Sequence, residues 1–462
     1  MSFTTLTTED ICALTEICEA VSGEQAGEDY THDEMPVYGS FQPELVLFPT
    51  ETEQISRVMS YCNGRNLPVT VRGAGTGLCG GAVPVFGGVL LCTEKMNRII
   101  EVDAENLCAT VEPGVLLMDF TEHVLQQGLF YPPEPGEKSA TLGGNVSTNA
   151  GGMKAVKYGV TRNYVLGLEA VLPDGRVIEV GGKLAKNSSG YNMLNLLVGS
   201  EGTLAVLTKL TLRLIPKPGK MISLLVPFES LDACIEAVPL ILRSNLSPTA
   251  IEFMQQDIIL ASDHYLGHAF PDKSANAYLL LTFDGTTRLD AEALCDHAAQ
   301  VCIGAGARDA FYADTGERFN SLWTARGAFL EAIKSSTQEL DECDVVVPRN
   351  QIARFIARIN ELGRQNEARI TYFGHAGDGN IHIYVCRDDQ TEDVWKDVLE
   401  RSMQAMYDIA IEFGGKVSGE HGIGHAKIDF LHESEGAAII ELMSGIKNVF
   451  DPKGILNPGK VL

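Results

Sequence analysis

The sequence predicts an α+β chain of two domains, with the first domain resumed after the second. Three observations predict it. Between Leu67 and about Ile215, short β-rich runs alternate with glycine-dense connections. After Pro216-Lys217-Pro218-Gly219-Lys220, a stretch of linker composition, helices of about 12–18 residues alternate with strands such as AYLLLTFD and ARITYFGH. From about Lys416 the chain returns to glycine-rich loops and closes on FDPKGILNPGKVL. The expected boundaries are 1–217 for the first domain, with a helical segment over about 1–42, then 218–415 for the second, and 416–462 for the returning segment. At roughly 100–200 residues per domain, 462 residues suit this division.

Taken in order, Thr7-x-x-Asp10 has the form of a capping box and opens a helix whose apolar stripe is Ile11, Leu14, Ile17 and Cys18. Thr50-x-x-Glu53 is expected to cap a second helix over Glu51–Cys62, stopped by Asn63-Gly64. The runs PVTVRG, GGVLLC, NRIIEV, CATVEPG, LGLEAVL, RVIEVGG and LAVLTKLTLRLIP follow as strands. Glycine stands between them, where backbone must turn with positive φ or approach a ligand.

Composition narrows the function. The net charge is −25, which repels phosphate backbones and anionic lipid, so nucleic-acid binding and polybasic membrane attachment are not expected. No apolar run reaches the ~20 residues of a spanning helix, and the start, MSFTTLTTEDICALTE, lacks the basic and apolar regions of a secretory signal. No integral membrane segment and a cytoplasmic location are therefore expected. The eleven cysteines are scattered, odd in number and without a Cys-x-x-Cys pair, which argues against a zinc ribbon, a local iron–sulfur cluster or a disulfide framework. Redox chemistry in such a chain has to come from a cofactor.

Three glycine-rich blocks are candidates to hold one. The first, Arg72-Gly73-Ala74-Gly75-Thr76-Gly77-Leu78-Cys79-Gly80-Gly81, follows the strand PVTV and contains G-x-G-x-x-G. Small residues let backbone N–H groups converge on a pyrophosphate, although the same pattern also occurs in surface hairpins. A Rossmann motif requires a helix to begin inside the glycines. Here Gly81-Ala82-Val83-Pro84 cannot make one, so a phosphate-cradling loop between strands is expected. The second block runs from Pro132-Pro133-Glu134-Pro135-Gly136 to Thr141-Leu142-Gly143-Gly144-Asn145-Val146-Ser147-Thr148-Asn149-Ala150-Gly151-Gly152 and offers neutral donors to a ring system. The third is Val198-Gly199-Ser200-Glu201-Gly202-Thr203.

Together RGAGTGLCGG, PPEPG, TLGGNVSTNAGG and VGSEGTLAVLT resemble the FAD-binding domain of the vanillyl-alcohol-oxidase (PCMH) type. Within it they resemble the branch of D-lactate, glycolate and D-2-hydroxyglutarate dehydrogenases, over nearly the whole chain. The resemblance implies a PCMH-type FAD domain plus an α+β cap domain with an antiparallel sheet. It implies that Arg72, Gly73, Ala74, Gly75, Thr76, Gly77 and Gly80 bind the pyrophosphate. Pro133, Glu134, Thr141, Gly143, Gly144, Thr148, Asn149, Gly151 and Gly152 would line the flavin or its phosphates. Glu201, Gly202 and Val206 would follow the adenosine or ribityl part, and Asn457 of LNPGK would close over the ring. Members with covalent flavin often carry His in the first loop; Ala74 and Thr76 stand here, so FAD is expected to be non-covalent.

Of ten histidines, His375, His382, His421 and His425 cluster near the C-terminus. The stretch from Phe373 to His382 reads strand–turn–strand around Gly377-Asp378-Gly379-Asn380, which brings two imidazoles to neighbouring strand ends. Ser418-Gly419-Glu420-His421-Gly422 adds a carboxylate and an imidazole on a flexible loop. Two His and one carboxylate with open positions suit a catalytic divalent ion. The resemblance implies His375, His382 and Glu420 as metal ligands (Zn, Fe or Mn), His421 as the base and His425 as structural. It also implies that Arg326 of Leu322-Trp323-Thr324-Ala325-Arg326 forks onto a substrate carboxylate.

In this scheme a chelated hydroxyl is acidified by the metal and deprotonated by neutral His, and the Cα hydrogen leaves as hydride to flavin N5. Two departures bear on substrate. Relatives that take dicarboxylic acids have a lysine shortly before the Asp344-x-x-x-Pro348 segment, where this chain has Glu342, and Asn where it has Tyr384. Both favour a small monocarboxylate, D-lactate first; the D hand comes from the resemblance alone. The electron acceptor is expected to be an electron-transferring flavoprotein, another redox protein or a quinone-type carrier. A glycolate dehydrogenase or oxidase FAD subunit, an oxygen-using oxidase of the same fold and a non-catalytic flavin subunit are the alternatives.

Overall fold

Strand-forming runs of two to nine residues, bounded by glycine and turn residues, organise the described residues into four sheets. The computed structural model describes residues 3–267 and 270–462. Two compact units emerge: one gathers 3–151, Val160–Lys217 and Glu420–Leu462, the other Gly152–Gly159 and Pro218–Gly419.

In the first unit, a four-stranded sheet has the order Glu19–Ser22, Leu45–Phe48, Val89–Cys92, Val69–Arg72. Its last two strands are parallel neighbours, joined by residues 73–88 without a helix. A five-stranded antiparallel sheet follows, ordered Ile99–Asp103, Cys108–Val111, Val206–Arg213, Val165–Val171, Val177–Gly181. The C-terminal tail closes onto the first sheet, where Val69 pairs with Leu456 as an isolated parallel bridge. Leu14, Ile55, Val58, Val69, Val171, Val206 and Leu456 share one core.

The Thr8–Thr15 helix carries its Thr7/Asp10 capping box. Leu14 is buried in the core, but Ile17 and Cys18 lie beyond the helix end. Two expectations are corrected. The second helix spans Thr52–Arg65 and runs through Asn63-Gly64, ending where Asn66 turns left-handed at φ 56°. A single exposed glycine costs a helix only about 1 kcal/mol against Ala, so it does not stop one that buries Ile55, Val58, Met59 and Cys62. Its N-cap is Glu51; Thr50 instead donates its N–H and hydroxyl to Gln54 Oε1. The second glycine block, expected as loop, contains a helix over Leu142–Thr148. Thr141 Oγ1 accepts from Gly144 N at 3.2 Å to cap it, and Asn149 ends it at φ 55°.

The second unit is built on a seven-stranded, wholly antiparallel sheet. Its order is Phe311–Ala313, Lys220–Phe228, Ala277–Gly285, Ala250–Gln255, Arg369–His375, Asn380–Arg387, Glu339–Val346. One face packs Met254, Leu280, Phe373, Tyr384 and Cys386 against the helices Gln256–Leu266, Gly316–Gly327 and Phe329–Ser335. The short segment Gly152–Gly159 belongs here, with Lys157 and Tyr158 both bonded to Asp284.

Candidate functional site

In the first unit the glycine blocks meet. Gly75 has φ +76°, and a Cβ there would come within 1.9 Å of the Arg72 guanidinium, so only glycine fits. Arg72 is buried and donates Nη1 to His32 O and Nη2 to Asp29 O, both at 2.7 Å. Its side chain therefore clamps the N-terminal segment. A Cβ on Gly73 would lie 2.3 Å from Thr141 Oγ1, which seats the first loop directly on the cap of the Leu142–Thr148 helix. Ala74 and Gly77 are exposed, Thr76 is half-buried, and Gly80 N donates to Asp33 Oδ2 at 2.6 Å.

In the second block Pro133 is buried and Glu134 is half-buried, 3.8 Å from Lys138. Gly143 packs against Pro113, where a Cβ would sit 2.5 Å from that ring, whereas Gly144 is exposed. Thr148 donates its hydroxyl back to Gly144 O. Asn149 Oδ1 accepts from Arg162 N, and Gly152 has φ +133°. A Cβ on Gly151 would meet Glu420 Oε2 at 2.6 Å.

The third block is tied by Glu201, half-buried, whose carboxylate accepts from Ile423 N at 2.8 Å and Gly424 N at 2.7 Å. Burial pushes this carboxyl up, and the two backbone bonds with the charges of Lys427 and Lys460 oppose the rise. Asn457, left-handed at φ 43°, donates Nδ2 to Glu201 O at 2.9 Å and accepts Val71 N on Oδ1 at 2.8 Å. Gly202 lies against it, its Cβ position 2.7 Å from Asn457 Nδ2. The Glu201 carboxylate thus braces the Ile423–Gly424 backbone, and the Val206 side chain, 1 % exposed, belongs to the hydrophobic core.

These residues fit a flavin nucleotide on an observation independent of any motif. Asn145 Nδ2 is buried with no hydrogen-bond partner among the described residues, and it sits on the helix between Gly143 and Thr148. A buried amide donor without an acceptor costs roughly 1–3 kcal/mol, and a polar ligand at this helix can satisfy it.

Two residues escaped the sequence reading. Asp33 is buried and its carboxyl is pushed up to about 6 by that burial, against bonds from Met35 N and Gly80 N. Lys460 is 3 % exposed, and burial pushes its ammonium down to about 7 although Asp33 and Glu201 pull the other way. Only its place in LNPGK could have flagged it. Below pH 7 Lys460 is charged both folded and unfolded, so its burial penalty is constant. From 7 to its ordinary 10.5 only the unfolded chain binds the proton, and stability rises with pH. Compared with Lys460→Met, the wild type is expected to gain a few kcal/mol across that interval. Denaturant midpoints of the two proteins measured at pH 7 and at pH ~10 check this.

In the second unit the period of two along each strand puts Glu252, Glu342, Asp344, His375, Asn380, His382 and Tyr384 on one sheet face. His375 and His382 flank the Ala376–Gly379 turn, with ring centroids 5.4 Å apart and a nitrogen of each within 4.8 Å of the other. His375 Nδ1 lies 2.7 Å from Glu252 Oε1, its direct cross-strand neighbour. His382 Nδ1 lies 3.0 Å from Glu342 Oε1, which also accepts the Tyr384 hydroxyl at 3.0 Å. Arg326 is buried rather than a surface helix residue and donates Nε and Nη2 to Glu252 Oε2 at 2.9 and 2.6 Å. Burial pushes the Glu252 carboxyl up, but the interactions with His375 and Arg326 more than offset it and hold it below its ordinary range. Asp344 accepts from Asn380 Nδ2, Ser418 Oγ and Gly419 N, which anchors the start of the Ser418-Gly419-Glu420 loop.

The donor set suits a divalent ion. An imidazole that gives its Nδ1–H to a carboxylate presents Nε2 as a ligand, and each ring has a carboxylate oxygen beside Nδ1. His375, His382 and Arg326 are thus brought together within the second unit. Glu420 and His421 open the last segment of the first unit, Glu420 Oε1 standing 3.8 Å from His421 Nε2. Sequence reading missed Glu252 and Asp344. A glutamate in the apolar strand AIEFMQ was the available signal for the first.

Comparison with known proteins agrees with this architecture. Residues 43–193 match the FAD binding domain family and residues 217–461 match the family described as FAD linked oxidases, C-terminal domain. The chain belongs to the FAD-linked oxidases. It is 48% identical over 444 residues to a D-lactate dehydrogenase of Anaerostipes hadrus, covering 95% of this chain and 94% of that one. It is 40% identical to the glycolate oxidase subunit GlcD of Bacillus subtilis (94% and 91% covered) and 41% to a D-lactate dehydrogenase of Archaeoglobus fulgidus (90% and 91%). Among solved structures it superposes on p-cresol methylhydroxylase with TM-score 0.81 at 19% identity, covering 99% and 97% of the two chains. On 4-ethylphenol oxidase from Gulosibacter chungangensis the TM-score is 0.79 at 20% identity, with 100% and 98% covered. The fold is therefore the PCMH-type FAD-binding fold, and the protein is an FAD-linked oxidoreductase. Among the described residues no helix is long and apolar enough to cross a membrane.

Proposed function

We propose that this enzyme oxidises a small 2-hydroxy acid, D-lactate first and glycolate second, to the 2-oxo acid. The observation that carries the proposal is the pair of carboxylate-backed imidazoles beside buried Arg326 on one sheet face. That set matches an anionic substrate with a hydroxyl next to its carboxylate. In this reading Arg326 binds the substrate carboxylate, and His375, His382 and Glu420 hold a divalent ion. His421 takes the hydroxyl proton as the Cα hydrogen departs with its electron pair. When bound, FAD supplies the hydride acceptor, N5, and the ion supplies a Lewis acid that lowers the hydroxyl pKa. The flavin is held without a covalent bond, and electrons leave to a redox protein such as an electron-transferring flavoprotein, in the cytoplasm.

Glu342 supports the choice of a monocarboxylate. Its carboxylate backs His382 and Tyr384, and an anion there repels a second substrate carboxylate. The similarity to a glycolate oxidase subunit favours glycolate as the second substrate. The test is anaerobic titration of the purified protein with D- and L-lactate, glycolate and 2-hydroxyglutarate, read as loss of oxidised-flavin absorbance, with metal content measured in parallel. D-lactate is expected to bleach the flavin and 2-hydroxyglutarate to do so poorly. Bleaching by none of the four defeats the proposal. His382→Ala is expected to keep FAD and lose most of its bound metal, roughly 10–100-fold in affinity or more. Unchanged metal content removes His382 from the ligand set.

A further inference from the structure

A buried carboxylate that bonds two functional side chains at once constrains both. Glu252 has no exposed surface, and each of its oxygens has a separate task. Oε1 faces His375 Nδ1 at 2.7 Å, and Oε2 receives Nε and Nη2 of Arg326 at 2.9 and 2.6 Å. The strand register makes the first contact inevitable, since Glu252 and His375 are directly paired across the ladder between Ala250–Gln255 and Arg369–His375. Arg326 arrives from the Gly316–Gly327 helix and is fixed from its faces by aromatic rings, its Cζ 4.5 Å from the Phe373 centroid and 5.5 Å from Phe329. Glu342, the carboxylate behind the other imidazole, uses one oxygen, Oε1, for both His382 Nδ1 and the Tyr384 hydroxyl.

We infer that Glu252 is a positioning residue that sets the His375 tautomer and the Arg326 orientation together, and so couples metal retention to recognition of the substrate carboxylate. The inference rests on the reading of His375 as a metal ligand and Arg326 as the carboxylate clamp. Its physical basis is donor–acceptor parity. A carboxylate offers acceptors at both ends, as a His Nδ1–H and a guanidinium both require. A glutamine of the same shape offers one acceptor and one donor. If its oxygen faces Arg326, its NH2 meets His375 Nδ1 and forces the tautomer that carries hydrogen on Nε2, which cannot ligate. If its oxygen faces His375, its NH2 opposes the guanidinium and Arg326 loses its anchor. Either orientation damages one of the two tasks. Aspartate keeps both acceptors but stands one methylene short.

The test uses full-length, FAD-loaded wild type, Glu252→Gln and Glu252→Asp, stripped of metal and titrated with Zn2+ against a chelating indicator. KM and kcat for D-lactate are measured on the metal-loaded proteins. Glu252→Gln is expected to keep its flavin spectrum while Zn2+ affinity falls 10–100-fold, KM rises at least about tenfold, or both. Glu252→Asp is expected to recover part of each loss, which a merely volume-filling role would not produce. Wild-type Zn2+ affinity and wild-type KM in Glu252→Gln overturn the inference. If Glu252→Gln does not fold, Glu252→Asp decides: intermediate values of either quantity support the inference and wild-type values of both overturn it. A wild type that binds no Zn2+ or is not reduced by D-lactate defeats the functional reading itself. A wild type that does both while the variants match it defeats only the role of Glu252.

Discussion

His421→Ala is expected to retain FAD and to lose flavin reduction by D-lactate, with the rate constant falling by roughly 10²–10⁴. The size of the effect follows from what the side chain is asked to do. A hydroxyl proton has to leave as the Cα–H bond breaks, and water is a far poorer acceptor than a positioned imidazole. The loop that carries His421 is held at both sides by carboxylates outside it. Asp344 accepts from Ser418 Oγ and Gly419 N before it, and Glu201 accepts from Ile423 N and Gly424 N after it. Removal of one imidazole leaves these four bonds in place, so the loss is one of chemistry and not of folding. Anaerobic rapid mixing of each protein with D-lactate, followed at the oxidised-flavin band, measures it. A variant that reduces its flavin at the wild-type rate is not missing its base.

The features legible in the sequence are those whose determinants lie close together in the chain. The strand pattern from PVTV to LTLR is one, since alternation and glycine boundaries are local signals. The hairpin from Phe373 to His382 is another: its turn fixes the register, and the register places both imidazoles on one face. What stayed hidden depends on partners far away. Glu252 acquires its role only when a strand 123 positions earlier pairs with His375, and Asp33 meets Gly80 N across 47 positions. Nothing in THDEM or AIEFMQ encodes those distances. Local misreadings had a different origin. Asn63-Gly64 has the composition of a stop, yet four buried apolar residues on one face outweigh the glycine penalty and carry the helix to Arg65. Likewise TLGGNVST has two glycines, yet a Thr141 cap and close packing of Gly143 on Pro113 let it become helical. For Arg72 and Glu201 the residue types were conspicuous, but their long-range partners, the His32 and Asp29 carbonyls and the Ile423 N–H, were not.

Glu201→Ala is expected to be the most damaging single change in the first unit, lowering FAD affinity strongly and stability by about 3 kcal/mol. Two buried N–H groups, on Ile423 and Gly424, lose their acceptor at once, and each unsatisfied group costs roughly 1–3 kcal/mol. The Lys460 ammonium, already disfavoured by burial, also loses one of the two charges that favour it. The Asn457 bond to the 201 carbonyl survives, since it involves backbone on that side, so the C-terminal tail stays attached while the Gly422–Gly424 loop is released. Glu201→Gln should fall between the two proteins, because its single oxygen can take one N–H while its amide group faces the other. Equilibrium dialysis of FAD and denaturant midpoints of the apo-proteins separate the two components. If Glu201→Ala binds FAD like the wild type and unfolds at the same midpoint, the carboxylate is not what holds this loop.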